Sequence, residues 1–206
     1  MKLITISGLD GSGKSTQLNL LKKNLAKKGF RIKSFHMISF SIANKILKSK
    51  KRNSSRGKKA QTTASKKAIF LRKTALIIDV FRFRHFYLMN NYRNKYDFIL
   101  TDRYFYDQIV NIKFLEKDKN FQKIPFWQKI AEKYAIIPHY GFYLKINPEK
   151  ILKRERGVEQ GADYLYQKNI ILKHFANRWK LSLIEAELSK EKIHQKIIKL
   201  IPKNNS

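Results

Sequence analysis

The chain opens on an apolar run. Met1 to Ser7, "MKLITIS", is β-branched and barely alternates, the pattern of a strand buried on both faces. From Lys14 to Lys28 the period changes. Leu18, Leu21 and Leu25 recur at spacings of three and four, which predicts a helix with one buried face, closed by Gly29. "FRIKSFHM" returns to strand character. Lys66 to Lys95 reads as one long helix centred on "AIFLRKTALIIDVFRFRHFYLM", and "YDFILTDRY" as the next strand, its apolar run ending at Asp102 and Arg103. Helical stretches lead to Pro138, and "YGFYLKI" predicts a fourth strand. Pro148 suits the first turn of the helix "PEKILKRER". "YLYQKNIILKHFANRW" is a further helix and "LSLIEA" a fifth strand. Ser189 caps a last helix, "KEKIHQKIIKLI". Strands alternating with helices imply an α/β fold: a parallel sheet covered by helices on both faces, with ligands at the carboxyl ends of its strands. Gly8, Asp102 and Asn147 all fall at such ends.

Composition sets limits around this pattern. The 206 residues suit one domain with a sizeable core, 1–206. Hydrophobic residues make up 43% and aromatics 13%, which excludes global disorder. No apolar run approaches the ~18 residues of a membrane span. With no cysteine there is neither a disulfide framework nor a thiolate metal site. A cytoplasmic protein is the expectation. The net charge of +30 favours polyanions as partners. Yet 34 of the 45 basic residues are Lys, so compositional drift explains the charge as well as a binding face does. Residues 45–73 carry 12 basic residues and no acidic one, and about 48–66 reads as a basic mobile insertion. It is a candidate for weak, non-specific nucleic-acid binding.

One loop points to definite chemistry. "GLDGSGKST" (Gly8, Leu9, Asp10, Gly11, Ser12, Gly13, Lys14, Ser15, Thr16) lies between the first strand and the first helix, and Gly8 to Ser15 fits G-x-x-x-x-G-K-[ST] in full. Chance produces such a match in about 1% or fewer of chains this long. The glycines let backbone N–H groups turn inward around a phosphate, and the helix adds its positive N-terminus. Lys14 is placed to reach the β- and γ-phosphates of ATP, and Ser15 to bind Mg²⁺. Asp102, at a strand end, is the expected second contact to the metal, through water. Arg103 beside it carries a fork suited to an acceptor phosphate.

"GLDGSGKST", "TDRY" about 90 residues on, "INPEKILKRERG" and "GADYLYQKNIILKHF" together resemble the thymidylate kinase family in order and spacing, over essentially the whole chain. The resemblance implies a P-loop three-layer sandwich with a five-stranded parallel sheet, usually homodimeric. It also implies transfer of the ATP γ-phosphoryl group to a nucleoside monophosphate, dTMP first, with Mg²⁺. Asp10 then matches the acidic residue that contacts the acceptor sugar, and Arg103 the acceptor-phosphate arginine. Arg82 lies within one position of another acceptor arginine. Arg154 matches a lid arginine with Arg156 a close second, in a lid segment about 154–163. An arginine arriving on a closing lid is worth about 10³ to 10⁵ in rate. Lys14, Arg103, Arg154 and Arg156 are therefore the candidate catalytic residues.

Departures from the family pattern fall at acceptor positions. The Arg-Glu-Pro stretch after the second strand is replaced by "FHMISFSIANK", and the residues after D-R-Y by "FYDQIVNIKF". The aromatic expected about four residues before Arg82 is replaced by "LII". Asp107 and Gln108 are candidate replacement contacts. "FRFRHF", residues 81–86, alternates aromatics and cations, and helical spacing turns part of it into the core. Two other functions stay open: a P-loop kinase with a different small-molecule acceptor, and a nucleic-acid-associated P-loop ATPase.

Overall fold

The computed structural model describes residues 1–42, 63–117, 120–153 and 161–201, without the side chains of residues 38 and 39. Five strands, β1 (Lys2–Gly8), β2 (Ile32–His36), β3 (Phe98–Asp102), β4 (Tyr140–Lys145) and β5 (Ser182–Glu185), form one all-parallel sheet in the order β2-β3-β1-β4-β5. Successive strands are laid first on one side of β1 and then on the other. The carboxyl end of β1 therefore opens where the winding reverses, the place such sheets use for ligands. Register brings the chemistry to that edge: Ile6 and His36 both stand opposite Asp102, and Gly8 stands opposite Leu144.

The eight helices of the described residues are α1 (Lys14–Lys27), α2 (Met37–Phe40), α3 (Lys66–Tyr92), α4 (Phe105–Glu116), α5 (Phe126–Tyr134), α6 (Pro148–Leu152), α7 (Ala162–Arg178) and α8 (Lys190–Leu200). Element order follows the hydrophobic pattern throughout. The one addition is α2, a single turn that begins at Met37, where the apolar pattern reads as the end of a strand. Successive residues of β1 serve opposite layers, with Leu3 packing under α3, and Ile4 and Ile6 facing α1 and α8. Leu18, Leu21 and Leu25 form the buried face of α1, as their spacing predicts. Of the "FRFRHF" segment, Phe83 is wholly buried against Phe35, Phe40, Tyr104 and Phe105, while Phe81 stays partly exposed. The basic insertion is described only from residue 63 onward. Arg154, Arg156 and the lid segment up to residue 160 lie outside the described residues.

Gly8 is the tightest point of the sheet edge. A Cβ there would sit 2.7 Å from Ser12 Oγ and 2.9 Å from the Leu144 carbonyl oxygen. The serine can rotate away, but Leu144 is backbone fixed in the β1–β4 ladder. Gly8→Ala is expected to destabilise the fold by about 1–3 kcal/mol, the usual range for overpacking. Urea denaturation measures it, and a loss under 0.5 kcal/mol would show that the β4 backbone yields.

Candidate active site

The loop between β1 and α1 takes the form its glycines permit. Gly11 (φ 84) and Gly13 (φ 91) hold left-handed backbone, and Gly13 is the N-cap of α1. Lys14, buried at the head of the helix, folds back along the loop and donates to the carbonyls of Gly8 (2.9 Å) and Leu9 (2.5 Å). Burial and the nearby Arg103 lower its pKa to about 8, although Asp10, Asp107 and Asp102 pull the other way.

Ser15 follows on α1 and donates from its hydroxyl to Oδ2 of Asp102 at the end of β3. The other oxygen, Oδ1, is buried with no hydrogen-bond partner. A hydroxyl and a half-used carboxylate are hard oxygen donors, the set that a small divalent cation takes when substrate phosphates and water complete its shell. Among the described residues no three His, Asp or Glu side chains gather into a metal cluster of their own. His36 Nε2 stands 4.0 Å from Asp102 Oδ2, on the neighbouring strand.

A buried polar group joins the loop to two other elements. Asp10 is ion-paired with Arg103 through Oδ1, and Oδ2 accepts from the Tyr164 hydroxyl at 2.8 Å. Lys168, one helical turn after Tyr164 on α7, donates to the same hydroxyl at 2.6 Å and lies 3.6 Å from Asp10 Oδ2. Burial alone would favour a neutral Asp10, but Lys168, Arg103 and Lys14 outweigh it and hold the carboxyl far below the usual carboxylate range. Burial lowers the Lys168 ammonium, and burial together with Asp10 raises the Tyr164 phenol. Arg103 is itself held at φ 66, a left-handed conformation uncommon in residues other than glycine, with its N–H on the Ile6 carbonyl at 3.2 Å. Its Nε is buried without a partner.

Lys14, Ser15, Asp10, Asp102 and Arg103 thus converge at one sheet edge. Arg82 is placed differently: it donates to Asp79 (2.8 Å) and to the Phe40 carbonyl (3.2 Å), with its guanidinium over the Phe40 ring. Asp79, fully buried, also accepts from Ile42 N, so the pair ties α3 to the segment after α2. No hydrogen bond or ion pair among the described residues joins Arg82 to Asp10 or Arg103. Asp107 is buried, its Oδ2 accepting from Ser7 Oγ (2.6 Å) and Tyr104 N (2.9 Å) at the head of α4. Gln108 keeps a buried amide nitrogen without a partner. The pattern of residues left Tyr164 and Lys168 unnoticed, although Lys168 occupies a core position of α7 among Leu165, Ile171 and Leu172. A lysine there was the available signal.

The thymidylate kinase family model matches residues 6–197. The chain belongs to the thymidylate kinase family. A probable thymidylate kinase from Methanocaldococcus jannaschii is 27% identical over 198 residues, 95% of this chain and 93% of that protein. Among solved structures, thymidylate kinase from Candida albicans aligns over 97% of this chain and 90% of its own (TM-score 0.64, 17% identity). The enzyme from Ehrlichia chaffeensis aligns over 98% of both chains (TM-score 0.64, 15% identity). Such likeness carries the fold. Membership of this kinase family makes the protein an ATP-dependent phosphotransferase.

The loop lysine links function to stability. A folded-state pKa of about 8 against 10.5 means that charging buried Lys14 opposes folding by about 3 kcal/mol at pH 7. Between those two values the unfolded chain holds more protons than the native one, so stability rises with pH through that window. Lys14→Met removes the penalty, offset in part by the two lost carbonyl bonds. Without nucleotide, K14M should be at least as stable as wild type at pH 7 and should lose that advantage by pH 10. Urea denaturation at several pH values measures both. A difference independent of pH would show that Lys14 titrates normally.

Proposed function

We propose that the protein transfers the γ-phosphoryl group of ATP to dTMP, yielding ADP and dTDP, in the cytoplasm where both substrates occur. The carrying observation is the meeting at one sheet edge of donor-side groups, Lys14 and Ser15–Asp102, with the acceptor-side pair Asp10–Arg103. Family membership selects dTMP among acceptors. An acceptor oxygen of dTMP attacks the γ-phosphorus as the bond to the bridging β-oxygen breaks. That oxygen is already ionised near neutral pH, so no general base is required, and rate comes from alignment and from neutralising spread negative charge. The amides of Gly8 to Thr16 and Lys14 hold the donor phosphates, and Arg103 turns its fork to the acceptor phosphate while Asp10 orients the sugar. Ser15, and Asp102 through water, would hold a Mg²⁺, which would supply positive charge against the developing negative charge of the phosphates. Arg154, with Arg156 two residues on, supplies the lid charge.

ADP release in Mg-ATP, with nucleoside monophosphates, deoxynucleosides and simple sugars as acceptors, tests this directly. The expected outcome is turnover that depends on dTMP and disappears in Lys14→Ala. Turnover with a sugar or nucleoside alone would assign the altered acceptor side, where Arg82 is bound to Asp79 and Phe40, to a different substrate. Arg154→Ala should lower kcat by about 10³-fold or more with little change in nucleotide affinity.

The proposed assembly is a homodimer. Phe70, Ile78, Phe81, Leu88 and Tyr92 recur at helical spacing along α3 as an exposed apolar stripe on a 27-residue helix. Light scattering at micromolar concentration is expected to give twice the chain mass, and Ile78→Glu with Leu88→Glu to give one chain mass. A wild-type monomer would leave the stripe without this role.

A further inference from the structure

We propose that Lys168 is a positioning residue which takes over Asp10 as Arg103 passes to the phosphate of the acceptor. The inference rests on the dTMP kinase reading, and it concerns the order in which buried charges exchange partners.

Arg103 is not idle without substrate: its Nη2 sits on Asp10 Oδ1. Its Nε is buried and faces no acceptor, so the guanidinium is only partly used. Presenting a two-toothed fork to a phosphate requires the guanidinium to weaken or leave its bond to Asp10. If nothing else changed, a largely enclosed carboxylate would keep only the Tyr164 hydroxyl as a direct hydrogen-bond partner, with Lys168 at the longer distance of 3.6 Å, and losing its close counter-ion is unfavourable.

Lys168 meets that requirement. Its ammonium is 3.6 Å from Asp10 Oδ2, outside direct hydrogen-bond contact, and donates to the Tyr164 hydroxyl, which itself donates to Oδ2. It has three N–H donors, and a closure of under about 1 Å converts the long ion pair into a charge-assisted hydrogen bond. The residue occupies a core position on α7 and is 5% exposed, where an apolar side chain would pack without desolvation cost. Packing therefore does not account for a lysine there. A reserve counter-ion for Asp10 does, and it makes the handover of Arg103 an exchange of partners rather than the loss of a close counter-ion.

The test compares ligands with and without the phosphate. Calorimetric titration of wild type and Lys168→Met with dTMP and with thymidine should show dTMP binding weakened on the order of 10- to 100-fold. Thymidine binding should stay within about threefold, because thymidine makes no demand on Arg103, and Lys168→Arg should recover most of the loss for dTMP. Equal weakening for both ligands, or none in a variant with an unchanged unfolding midpoint, overturns the proposal. Should K168M not fold, Asp10→Asn and the double variant D10N/K168M remain. With Asp10 neutral no counter-ion is needed, so the two should bind dTMP equally, and a further loss in the double variant overturns the proposal. Wild-type protein that binds no nucleoside monophosphate would defeat the kinase reading itself. Wild-type binding with unaltered K168M would defeat only the role of Lys168.

Discussion

Everything at this site depends on a steric constraint at the end of β1. The chain must leave the central strand, turn, and enter α1 between Gly8 and Lys14, while β4 runs alongside with its Leu144 carbonyl against the turn. Only a residue without a side chain passes there unhindered. Because it passes, Gly11 and Gly13 can adopt left-handed backbone, and Lys14 and Ser15 leave the first turn of the helix, the one for the loop carbonyls and the other for Asp102. The parallel register then brings Asp102 alongside. Without that close approach the same residues would be a flexible, charged loop.

The charges of the site are matched internally before any substrate arrives. Lys14 rests on loop carbonyls, Ser15 on Asp102, Arg103 on Asp10, and Asp10 also on Tyr164 with Lys168 close by. Lys14, Ser15, Asp102 and Arg103 each already have a protein partner, so ligand binding at these side chains replaces contacts instead of merely adding them. This costs some intrinsic affinity. In return the empty site avoids strongly unfavourable isolated charge, and the groups stay oriented within a rigid frame.

Much of this was legible from the chain alone. Short apolar runs mark the five strands, with β1 and β3 buried on both faces, and period-3.6 patterns mark the longer helices, which pack one regular face against the sheet. The phosphate loop is readable because its glycines, lysine and hydroxyl lie within nine consecutive residues. Contacts between distant residues were not readable. Asp10 to Tyr164 spans 154 positions, and nothing local to either announces the other. Arg82 shows the converse: family spacing points to the acceptor, while local structure supplies it with Asp79 three residues earlier and with Phe40. Asp107 fell between these cases, since a carboxylate three residues after the N-cap, Tyr104, is as readily a cap as a ligand contact.

The left-handed backbone at Arg103 bears on how such a site persists through mutation. Residues that relax this conformation, glycine foremost and asparagine next, lack the charged two-toothed fork that grips a phosphate. Removing the arginine relieves local strain, so selection for a well-folded chain and selection for a competent site pull in opposite directions at this residue. A copy of the gene released from its catalytic duty would be expected to lose the arginine early, and its product to remain folded and abundant after the chemistry had gone.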